Sequence, residues 1–64
     1  MDRMIRHSLS EKRSLYLKRA QHAEEKAVGT QDIQVKIAWV SVAASWRQMA
    51  EELDDLMHML PPDV

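Results

Sequence analysis

The segment "VGTQD", residues 28–32, holds the only glycine of the chain and interrupts what otherwise reads as continuous helix. Gly29 follows a helical pattern and precedes Thr30-Gln31-Asp32, the order of a glycine C-cap followed by the start of a new helix. Either Thr30 or Asp32 carries the side-chain oxygen needed to accept the first free backbone amides of that second helix. So short a connection makes the two helices antiparallel neighbours. The expected fold is all-α, an antiparallel two-helix hairpin in a single domain over 1–64. Its parts are helix 1 over about 9–28, a turn at 29–31, helix 2 over about 32–60, and tails at 1–7 and 61–64.

Composition agrees with this reading. Ala, Leu, Glu, Lys, Arg, Met and Gln dominate, all strong helix formers, and the β-branched residues cluster only within 33–42. At 64 residues the chain is near the size where a single-chain core becomes marginal, and chains this small usually need a staple. There is no cysteine, so disulfides and thiolate metal sites are excluded. Residues 1–6 carry charges without a following apolar run, unlike a signal peptide. The longest apolar-rich window, 37–46, is half the roughly twenty residues that a membrane span needs. A soluble, cytoplasmic chain with no membrane contact is expected.

Upstream of the turn, Ser8-Leu9-Ser10-Glu11 fits a capping box, so helix 1 starts at Ser8 or Ser10. Residues 1–7 are then an arm, or an extra turn begun by Asp2. The inward face of helix 1 reads Leu9, Tyr16, Ala20, Ala23 and Ala27, with alanines small enough to admit a facing helix closely.

Downstream, helix 2 runs from about Ile33 to Met59 or Leu60, stopped by Pro61-Pro62. Val35, Trp39, Val42, Trp46, Met49, Leu53, Leu56 and Leu60 follow one another at alternating spacings of four and three, a heptad-type seam. A second line, Ile33, Ile37, Val40 and Ala44, lies beside it, with Ala43, Ala50 and Met57 adding breadth. "IAWVSVAASW", 37–46, is therefore apolar over more than one neighbour can cover. An identical hairpin is the simplest cover, giving a homodimeric four-helix bundle with the helix 2 seams central. The expected interface is Val35, Ile37, Trp39, Val40, Val42, Trp46, Met49, Leu53 and Leu56.

Charge is divided between the halves. Residues 1–27 hold seven Lys/Arg against four acids, a net of +3, and residues 28–64 hold two against six, a net of −4. Folding about residue 30 sets Lys12 and Arg13 opposite Gln48 and Glu51, and Arg6 near Asp54 and Asp55. Such pairs help to fix antiparallel register, although exposed ones contribute only about tenths of a kcal/mol each.

Little in the chain points to catalysis. His22 and Glu25, and Asp55 and His58, have the three-residue spacing of half a carboxylate-bridged dimetal site. The hairpin places the two histidines far apart, and Glu24, Glu25, Glu51 and Glu52 lie off the apolar seam. Ser8, Ser10, Ser14, Ser41 and Ser45 have no positioned histidine and acid, and there is no nucleophile elbow or phosphate loop. No catalytic, cofactor-binding or metal-ligating residue is assigned, no cofactor is expected, and the chain reads as a non-enzyme. Nucleic acid is the more serious alternative. Lys12, Arg19 and Lys26 recur every seven residues, and with Arg13 and Lys18 they form a basic ridge that a dimer would double.

Tyr16, Ala20, Ala23, Glu24 and Ala27, followed by a short loop and Ala43, Trp46, Met49, Ala50 and Glu51, resemble a pattern found elsewhere. It is that of small uncharacterised helical-hairpin proteins of rhizobia and related alphaproteobacteria. The likeness covers about residues 13–56 and departs at the β-branched, Trp39-containing start of helix 2, where that pattern is more polar. It implies a bacterial helical hairpin and no established activity. The function expected is a non-catalytic, homo-oligomeric protein-interaction or regulatory module, binding its own copy and a possible partner helix.

Overall fold

The computed structural model describes residues 2–60. Two helices, α1 (Asp2–Gly29) and α2 (Ile33–Met59), pack against each other as an antiparallel hairpin. The molecule measures 51 × 15 × 10 Å, so it is one layer of helix whose two broad faces are both open.

The turn is built from its polar side chains. Asp32 is the N-cap of α2, with extended backbone, and its Oδ1 accepts from the amides of Gln34 at 2.9 Å and Val35 at 3.1 Å. Thr30 supports it, its Oγ1 accepting from the Asp32 amide at 3.3 Å. Both candidate caps are thus used, in different roles. Gly29 differs from expectation: it is the last helical residue and its φ is not positive, so it makes no left-handed cap. A Cβ placed on it would meet nothing within 4 Å. At the other end the Leu60 amide donates to the Met57 carbonyl at 3.3 Å and closes α2. The expected tail at 61–64 lies outside the described residues, as does Met1.

α1 begins at Asp2, so residues 2–7 are helix and not an arm. Nothing in that segment breaks a helix, since it has no glycine or proline. α2 is also long enough to meet it: Arg6 Nη2 donates to the Leu60 carbonyl at 2.9 Å. Ser8 and Ser10 fall inside the helix, and Glu11 pairs with His7 at 2.9 Å, one turn back, instead of closing a capping box.

Among the described residues only alanines are buried: Ala20, Ala23 and Ala27 of α1, and Ala43 and Ala50 of α2. Around them Leu9, Arg13, Tyr16 and Leu17 of α1, and Trp39, Trp46, Leu53 and Met57 of α2 with its cap Leu60, are partly covered. The row of α2 that meets α1 is therefore Trp39, Ala43, Trp46, Ala50, Leu53 and Met57, continued by the C-cap Leu60. It shares Trp39, Trp46, Leu53 and Leu60 with the seam expected at the centre of a dimer and adds Ala43, Ala50 and Met57, because helices approach most closely where side chains are smallest. Val35, Val42 and Leu56 are pushed to the side and stay exposed.

Register also shifts. The turn is centred on residue 31 and not 30, and a guanidinium reaches about a further turn. Arg13 Nε consequently meets Asp54 Oδ1 at 3.6 Å, in place of Gln48 and Glu51. Glu24 pairs with Arg47 across the layer nearer the turn.

Candidate interaction surfaces

The two broad faces differ in chemistry, and cross-helix contacts identify which residues line each. On the first, Tyr16 packs against Trp46 with ring centroids 5.2 Å apart and planes tilted by 41°. The Arg19 guanidinium carbon lies 5.0 Å from the Trp46 ring centroid, a cation–π arrangement. This aromatic face carries the exposed edge of the expected seam. Val35, Val42 and Leu56 are 43%, 40% and 45% exposed, and with the partly covered Met49 they recur every seven residues along α2. Seven residues are close to two full helical turns, so the four form one apolar row. Lys12 and Lys26 lie seven residues on either side of Arg19, which places a parallel basic row on α1 beside it.

On the opposite face a trough runs between the helices. Near the turn its lining is mostly apolar, with Ala27, Val28, Val40, Ala43 and Ala44 beside Glu24, Arg47 and Lys36, around a groove of about 420 Å³. Toward the open end Leu17 and Ala50 give way to Arg13, Glu51, Asp54 and Asp55, around a second groove of about 340 Å³. Arg47 lines both, so they are halves of one trough. Arg47 is held by Glu24 and Arg13 by Asp54.

The nine residues expected at one interface therefore do not share a face. Val35, Val42, Met49 and Leu56 belong to the aromatic face, and Trp39, Trp46 and Leu53 sit partly covered in the groove between the helices. Val40 lines the trough, and Ile37, three residues before it, lies on the same side of α2. The five-residue basic ridge divides as well. Lys12, Arg19 and Lys26 stay in one exposed row, Arg13 turns inward to Asp54, and Lys18 points about 100° away from Arg19 around the helix.

His58 lies at the open end, its Nδ1 2.8 Å from the Asp54 carbonyl oxygen and 3.7 Å from Asp54 Oδ2. His22 is exposed near the turn, at the other end of the hairpin. Among the described residues, no three His, Asp or Glu side chains gather as metal ligands would. No described helix is long and apolar enough to cross a membrane.

Reading α2 as a seam with a flank missed the trough's acidic end. Its signal was the flank itself. Ile33, Ile37, Val40 and Ala44 continue at helical spacing into Arg47, Glu51 and Asp55, so one side of α2 passes from apolar to acidic. No family model, curated protein or solved structure matches the chain.

Proposed function

We propose that this chain is a non-catalytic, cytoplasmic interaction module that works as a homodimer, two hairpins joining through their aromatic faces into a four-helix bundle. One observation carries the reading: the heptad row of exposed Val35, Val42 and Leu56 with partly covered Met49, beside a hairpin whose buried core among the described residues is alanine only. Alanine burial contributes little per residue, at about 25 cal/mol per Å² of apolar area removed from water. A chain of this length needs more apolar burial than one alanine seam supplies. A second copy laid on the aromatic face covers the heptad row and the outer edges of Trp39, Trp46 and Leu53. Regular seven-residue spacing suits side-by-side packing of two α2 helices better than capture of an irregular surface.

Replacing Val42 and Met49 together with aspartate tests this. Light scattering should report a dimer for the parent chain and a monomer for the variant. A monomeric parent, or a variant with unchanged mass, contradicts the reading.

One observation favours nucleic acid as a second reading. Lys12, Arg19 and Lys26 form a row in which none has an acidic partner among the described residues. Phosphate binding by such a row weakens steeply with salt. A salt-sensitive gel shift, lost when all three become glutamine, would support it. No shift at low salt would exclude it.

A further inference from the structure

We propose that the trough opposite the aromatic face is a docking site for an amphipathic partner helix, apolar at one end and basic at the other. Along α2 the trough extends from Lys36 to Asp55, about 29 Å at 1.5 Å per residue, enough for a helix of about five turns. Near the turn it offers apolar contact. Val28 and Val40 are 83% and 54% exposed, and Ile33 and Ile37 extend the same side of α2 at 71% and 60%. At the open end it offers uncompensated acid. Arg13 and Arg47 are engaged by Asp54 and Glu24, whereas Glu51 and Asp55 have no ion-pair partner among the described residues.

Charge selects the occupant. Glu51 and Asp55 repel nucleic acid and anionic lipid and attract lysine or arginine on a partner. Lys36, free of any acid among the described residues, stands at the opposite end of the trough. A helix carries partial positive charge at its N-terminus and negative charge at its C-terminus. The docked helix accordingly places its basic N-terminal turns at Glu51 and Asp55 and its C-terminus toward Lys36, running antiparallel to α2. The trough lies on the face away from the proposed dimer contact, so the two proposals fail separately.

Two fluorescein-labelled peptides of about five helical turns test the assignment by anisotropy against the intact chain. Both carry leucine and alanine along one face; one has three lysines in its first turns, the other three glutamates there. The lysine peptide should bind at least about ten-fold more tightly. Glu51→Gln with Asp55→Asn should bring the two peptides within about two-fold of each other, and Val40→Asp should abolish binding while far-ultraviolet circular dichroism stays helical. Equal affinity for the two peptides, no binding of the lysine peptide below about 100 µM, or unchanged binding by the variants overturns the proposal. A fall in molecular mass on Val40→Asp also overturns it, because the trough would then be a contact between copies.

Discussion

Asp32 holds the turn by accepting two backbone amides at once, and Thr30 fixes Asp32 in its turn. Replacing an N-cap of this kind with alanine costs about 1 kcal/mol. Thermal unfolding of Asp32→Ala should therefore begin several degrees below that of the parent, while Asp32→Asn should stay close to it. Gly29 supports the opposite expectation. Its φ is not positive and a Cβ there meets open space, so its conformational freedom is a cost without a return. Gly29→Ala should stabilise the hairpin by about 0.5–1 kcal/mol, read from chemical denaturation. Destabilisation would mean that Gly29 adopts a conformation only glycine tolerates.

The contact between α1 and α2 is an alanine contact, and that gives it a sharp sensitivity to size. Ala43→Leu forces the helices apart and should destabilise by about 1–3 kcal/mol. Ala44→Leu, one residue on and exposed, should change stability by less than about 0.5 kcal/mol. Equal effects at the two positions would show that the helices do not meet on the Ala43 row. Trp46 is only partly covered, so truncation to alanine should cost less than the roughly 3–5 kcal/mol of a fully buried tryptophan. The two helices and their turn were legible in the sequence because one glycine, two capping oxygens and a 3.6-residue period all mark the same places. The row that α2 turns to α1 was not. Size and hydrophobicity single out Val35, Val42 and Leu56, expected between copies, but do not say which row α1 takes, and close approach selects Ala43 and Ala50. That choice carries Val40 and Ile37 to one broad face and Val42 to the other. One wide interface in the sequence thereby becomes two surfaces of different charge.

As a whole, the hairpin is a single layer with apolar surface on both sides, one bordered by Lys12, Arg19 and Lys26 and the other ending in Glu51 and Asp55. Exposed apolar rows of this extent on a short chain mark association surfaces. Stability should therefore depend on protein concentration, since a dimer is stabilised by mass action and a monomer is not. The midpoint of thermal unfolding is expected to rise as concentration increases, and a constant midpoint would argue for unfolding of a single chain. The most direct measurement is sedimentation equilibrium of the unmodified chain over a range of concentrations. The expected result is a mass of twice 7.4 kDa, dissociating on dilution. A mass of 7.4 kDa maintained at concentrations on the order of tens of micromolar would contradict the dimer.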